Sequence, residues 1–217
     1  MFGGSPLNRL SWLRPSQTFL NAIVAVPSTR WILFNAGQPL MVSSDDGLVK
    51  PTPAYLSTND VRPLLGSEPF FGQGQYVGDL AVEKDGEHDH PQHSPTEGAR
   101  HLGVRAVFLG LHENREEGDN GALPSSDFKD PVAAIEKLKG TPYFSADVSD
   151  LNLPPQEIQN ILSQTSQGRD RKTLSWSEPR SLMSGLDPFT AAVFASARSM
   201  ADWNIRNKVR LDIPSRD

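Results

Sequence analysis

The run VRAVFLGL, residues 104–111, constrains the fold more than any other stretch of the chain. Near-continuous apolar character over so short a span predicts a strand covered on both faces, hence one in a central position of its sheet. A second strand is predicted over TPYFSADV (141–148), with Tyr143 and Phe144 as strong β formers. Between them, DPVAAIEKLKG (130–140) has the marks of a helix: Asp130 as cap, Pro131 at the first helical position and Gly140 as the stop. Upstream, RWILFN (30–35) and QPLMVS (38–43) flank Ala36-Gly37 and read as a β-hairpin. Strands and helices interleaved in this way predict a mixed α/β (α+β) fold. A twisted mixed sheet is expected from 30–35, 38–43, 104–111 and 141–148, flanked by helices.

Four further helices follow from caps and periodicity. Ser16 can cap a short helix carrying Phe19, Leu20 and Ile23. TNDVRPLLG (58–66) has Thr58 or Asn59 as cap and Gly66 as stop. PPQEIQNILSQ (154–164) opens on prolines and lines up Ile158, Ile161 and Leu162. A long C-terminal helix starts at Asp187-Pro188, with Phe189, Val193, Ala197, Met200 and Trp203 on one stripe. Residues 83–103, by contrast, hold almost no large apolar side chain, and Gly, Pro and charge dominate. Such a segment is expected to be a mobile insertion between strands. A second loop, HENREEGDNGALPSSDF, follows the strand at 104–111.

Composition excludes several functions. The 217 residues include no cysteine, which rules out disulfides, thiol catalysis and any cysteine-based zinc site within this chain. A net charge of −5 without a basic stripe argues against nucleic acid as a partner. No apolar run approaches the roughly 18 residues of a membrane span. Arg9 and Arg14 sit in an N-terminus without acidic residues, but Pro6 and Pro15 break the amphipathic helix a transit peptide would need. A structured first segment is the expectation. Ser215-Arg216-Asp217 is not a peroxisomal S-K-L address.

Motifs that carry chemistry are sparse. His88, His90 and His93, with His101 nearby, have spacings that can hold zinc or copper. They sit in the segment least able to fix a geometry, so the preferred reading is a solvated loop. FFGQGQYVG (70–78) lacks the preceding strand and following helix of a dinucleotide fingerprint, and no G-x-S-x-G elbow is present. Asp147 and Asp150 read as cap or turn residues. Phe189 and Trp203 are the aromatic candidates for a partner surface.

Four stretches in order carry a resemblance: FGGSPLNRLSWLR (2–14), AVFLGLHE (106–113), KGTPYFSADV (139–148) and FTAAVFASARSMADWNIRNK (189–208). They resemble the N-terminal half of eukaryotic NADH pyrophosphatases of the Nudix superfamily. VRPLLGSEPFFGQG (61–74) is similar to the fungal-type branch. The resemblance covers about 1–208. It implies a Nudix-like N-terminal domain over 1–186, a connecting helix over 187–208 and a divergent tail over 209–217. In the family that helix runs into F-C-x-x-C-G, the first half of a four-cysteine zinc ribbon, and the ribbon leads to the catalytic Nudix domain. Here VRLDIPSRD stands after Lys208, so the expectation is a shortened form of the family's chain.

The family splits NAD(H) into nicotinamide mononucleotide and AMP with Mg or Mn held by the glutamates of its G-x5-E-x7-R-E-U-x-E-E-x-G-U box. Arg115-Glu116 is followed by Glu117 where the box needs an aliphatic residue, and Gly118 comes too early, so this stretch reads as a charged loop. No catalytic residue, metal ligand or zinc ligand is therefore carried over. The resemblance implies a scaffold that helps form a homodimer, or a heterodimer with a full-length homologue. Phe189, Val193, Met200 and Trp203 are the expected interface residues. The compartment it implies is cytoplasmic or peroxisomal. Two alternatives stand beside this reading: residual metal-dependent NADH hydrolysis using Glu113, Glu116 and Glu117, and a metal-binding loop using His88, His90 and His93.

Overall fold

Ala36 and Gly37 both carry positive φ, 50° and 79°, in the computed structural model. That is what a two-residue hairpin turn between right-twisted strands requires. The turn joins β1 (Arg30–Asn35) to β2 (Gln38–Ser43), with Phe34 opposite Pro39 and Asn35 opposite Gln38. The residues described are 5–43, 50–66, 68–72, 104–113, 130–151, 153–170, 172–181 and 185–206. The expected insertion at 83–103 and the tail at 209–217 lie outside them.

Past the turn the hairpin splays. β3 (Thr52–Pro53) and the residues after it fill the gap. Met41 pairs with Pro53, Ala54 N–H donates to Leu40 O at 2.9 Å, and Trp31 and Leu56 exchange two backbone bonds of 2.8 and 3.0 Å. β2 also pairs antiparallel with β6 (Thr173–Trp176). Neither β3 nor β6 was among the expected strands.

β5 (Gly140–Asp147) is the strand at the centre of the fold. It runs parallel to β1, with Trp31 opposite Phe144, and antiparallel to β4 (Arg105–Glu113), with Phe108 opposite Phe144. The sheet order is β3-β2-β1-β5-β4, with β6 beside β2. The expectation that 104–111 is central therefore needs correction, since β4 ends the row. Its apolar run is real because Phe108 and Leu111 face one core and Leu109 the other. Apolarity reports covered faces, not lateral neighbours. The outer edge of β4 meets the N-terminal segment at one residue pair. Asn8 and Leu111 exchange two backbone bonds of 2.8 Å. The bulge between Phe108 and Gly110 lets the chain come this close. Gly110 has φ +149°, and a Cβ there would lie 2.7 Å from Asn8 O.

One face of the sheet carries α1 (Gln17–Val24), α2 (Thr58–Leu65), α3 (Pro131–Lys137) and α4 (Pro155–Ser163) over the larger core. Trp31 stacks on Phe144 at 4.8 Å, Phe108 lies 5.1 Å from Phe144, and Phe19 meets Phe108 edge-on. Ser16 caps α1 and Asp130 caps α3, as expected. Gly140 is not the stop of α3, which ends at Lys137. It opens β5 at φ +151°, where a Cβ would collide with His112 O. The cap of α2 is Ser57 rather than Thr58 or Asn59. Thr58 is buried inside the helix, where its hydroxyl donates to Val24 O at 2.7 Å and accepts from Trp31 Nε1 at 3.0 Å. Asp60 closes the capping box with Ser57 and also accepts from Ser166 N–H, at the start of α5 (Ser166–Arg169).

On the opposite face, α6 (Pro188–Arg206) is the helix that packs among the described residues. Val193, Phe194, Ala197 and Ala201 seal it against Ile32, Phe34, Leu109 and Tyr143. Among the described residues, no helix is long and apolar enough to cross a membrane.

Candidate functional site

α6 lies across the sheet with its two ends over different chemistry. Asp187 caps its first turn, accepting from Phe189 N–H and Thr190 N–H at 3.0 Å each. Hydrogen bonds from the Thr190 side chain and N–H hold the Asp187 carboxyl below its ordinary range. The helix's positive end is thus already neutralised by its own carboxylate. Beneath it an aromatic row connects four residues. The His112 ring sits 4.4 Å from Phe189, Phe189 lies 5.8 Å from Tyr143, and Tyr143 lies 5.7 Å edge-on from Tyr55. Burial pushes the Tyr55 phenol up to about 12, opposed by the Thr190 side chain and reinforced by Tyr143 and Asp187. The Tyr55 hydroxyl is nevertheless covered without an aligned hydrogen-bond partner. Burial also raises Tyr143, against the pull of Arg30. Both phenols stay neutral at physiological pH and are not poised as general bases.

Beside this row an open cleft runs between the N-terminal segment and the end of β4. It is lined by Ser5, Pro6, Leu7, Asn8, Leu111, His112 and Glu113. Asn8 Nδ2 donates to Glu113 Oε1 at 2.6 Å, tying the two walls together. The cleft thus offers one amide, one carboxylate and one imidazole. Among the described residues, no group of three or more His, Asp or Glu is gathered in a way that could hold a metal ion. Glu113 is placed in this cleft. Glu116, Glu117, His88, His90 and His93 lie outside the described residues.

At the other end, Arg105 Nη1 donates to Asn204 O in the last turn of α6 at 3.1 Å and lies 3.7 Å from Asp150 Oδ2. Arg105 is directly opposite Asp147, whose Oδ1 accepts from Ser149 N–H at 2.8 Å. Asp147 is 8 % exposed, and its Oδ2 is covered and accepts no hydrogen bond. The bond from Ser149 N–H to Oδ1 fits the expectation of Asp147 as a cap or turn residue. The cross-strand arginine is set by register alone and has no signal in the local sequence.

The four expected interface residues divide. Val193 is fully buried against the chain's own sheet. Phe189 and Met200 are half-buried at the margin of the same core. Trp203 is 58 % exposed. The buried stripe runs through Val193, Phe194, Ala197 and Ala201, so the helix is rolled relative to the stripe read from the sequence. Val193, Ala197 and Ala201 at steps of four mark the inner face, and Trp203 falls outside it.

A mixed sheet with helices on both faces and a long closing helix is the architecture of a Nudix-like domain. Residues 28–203 match the family model described as NADH pyrophosphatase-like rudimentary NUDIX domain, and the chain belongs to that family. No curated protein gave a match. The family resemblance read from 61–74, 106–113 and 139–148 lies inside the matched span, that of 189–208 lies mostly inside it, and 2–14 lies outside it.

Proposed function

We propose that this chain acts as the N-terminal scaffold and dimerisation domain of an NAD(H) pyrophosphatase and does not itself cleave the dinucleotide. The observation that carries the reading is the family match over 28–203, to a domain described as rudimentary. Two features support it. Both sheet faces are taken up by packed cores, and the one cleft described offers a single carboxylate already bonded to Asn8. Pyrophosphate cleavage with Mg or Mn needs several acidic side chains locked around the ion. The described residues do not fit that requirement, and a chain without cysteine supplies no thiolate zinc site.

On this reading the partner is a second copy or a full-length homologue, and the compartment is the cytoplasm or the peroxisome. Trp203 is the anchor of the contact, since large exposed aromatics concentrate binding energy. The test has two arms. The purified chain is incubated with NADH and Mg or Mn, and nicotinamide mononucleotide and AMP are quantified; no metal-dependent product is expected. Sedimentation equilibrium of the chain, alone and with a full-length NADH pyrophosphatase, should show a dimer that Trp203→Ser weakens about tenfold or more. Metal-dependent turnover, or a strict monomer in both mixtures, would overturn the reading.

A further inference from the structure

Arg105 and Asp147 form a directly opposed pair on neighbouring strands. Along β5, Phe144 and Ala146 belong to the larger core, as does Val148 just after it, and Tyr143 belongs to the core under α6. Alternation therefore puts Asp147 on the α6 side. Arg105 is on that side too, since it reaches Asn204 O. Side chains so placed have Cβ atoms about 5 Å apart, within easy reach of an arginine fork. Yet the guanidinium is spent elsewhere. It caps a carbonyl in the last turn of α6, which has no onward partner within the helix, and it leans toward Asp150. The directly opposed carboxylate, that of Asp147, is left with one buried oxygen bare. A covered, unsatisfied carboxylate oxygen disfavours the state that contains it, and it gains most from a guanidinium.

We propose that Arg105 is a two-position latch for the last turn of α6. In the position observed it holds that turn down through Asn204 O. In the other it turns to Asp147 Oδ2, releasing residues around Ala201–Arg206 while giving the covered carboxylate oxygen a donor. The arrangement makes undocking of the helix end less costly than its packing alone implies. Trp203, the exposed aromatic, sits within the released turn. The latch stands on geometry alone and holds whether or not the chain dimerises.

Hydrogen–deuterium exchange of the full chain, read on peptides covering 198–206, tests it. Asp147→Asn keeps an oxygen for Ser149 N–H but removes the alternative acceptor, so exchange of the last turn should slow by roughly three- to tenfold. Arg105→Ala removes the hold and should speed it. In the Arg105→Ala background, Asp147→Asn should change nothing. If Asp147→Asn leaves exchange unaltered or accelerates it, or acts equally without Arg105, there is no latch. Should Asp147→Asn fail to fold, Asp147→Ser supplies the same comparison with a hydroxyl acceptor.

Discussion

Replacing Asp60 by asparagine isolates the node that ties α2 to α5. Asp60 Oδ2 accepts from Ser57 N–H at 3.0 Å, from Ser57 Oγ at 2.7 Å and from Ser166 Oγ at 3.0 Å, and Oδ1 accepts from Ser166 N–H at 2.8 Å. An amide keeps one oxygen and the shape. It turns the other acceptor into a donor facing a donor. The hydroxyls can rotate, but one backbone N–H, at Ser57 or Ser166, loses its partner. Loss of a cap costs about 0.5–2 kcal/mol. The side chain is partly exposed, so water blunts the charge-assisted part, and about 1–2 kcal/mol is expected near neutral pH. Burial alone would raise the Asp60 carboxyl, but the bonds from Ser166 and Ser57 outweigh it and hold it below its ordinary value. A carboxyl depressed in the folded state contributes fully above its unfolded pKa, and that contribution is lost as pH falls through the folded pKa. Urea unfolding of both proteins, followed by tryptophan fluorescence, should show a gap of that size at about pH 7 that narrows below about pH 4. A gap that stays constant down to about pH 3, or none at neutral pH, would refute the assignment.

Gly110→Ala forces a Cβ to within 2.7 Å of Asn8 O at φ +149°, and should lower stability by about 2–4 kcal/mol, read as a drop in thermal midpoint. Ala36→Gly relieves a side chain held at φ 50° in the hairpin turn and should raise stability by about 0.5–1 kcal/mol in the same measurement. Tyr55→Phe removes a covered hydroxyl that has no aligned partner, so urea unfolding should find it neutral or stabilising by up to about 1 kcal/mol; a loss above about 1 kcal/mol would mean that the hydroxyl is bonded.

Features set by adjacent residues were legible in the sequence. Ala36-Gly37 can only turn, Asp187-Pro188 can only start a helix, and Asp130-Pro131 does the same for α3. Features set by distant partners were not. β3 is two residues including Pro53, and it exists because β1 and β2 separate and leave backbone groups to satisfy. β6 carries a faint β pattern in Thr-Leu-Ser-Trp, but a four-residue strand is too short to stand out. The position of β4 at the end of the row was hidden because its faces are covered as a central strand's would be. Cap choice at α2 depended on Thr58 being claimed by Trp31 and Val24, residues of other elements. The candidate site fared worse. Trp203 and Phe189 were visible, whereas the Arg105–Asp147 register and the roll of α6 came only with the sheet.

The pairing of β1 with β5 has a consequence for how this polypeptide is made. The two strands that stack Trp31 on Phe144 are more than a hundred residues apart in sequence. During synthesis the early hairpin emerges with its inner edge open and its aromatic face wet, and it must wait for β5 to leave the ribosome. Nascent chains stalled before residue 140 should be captured by chaperones, and those stalled after the helix over that sheet has emerged should escape.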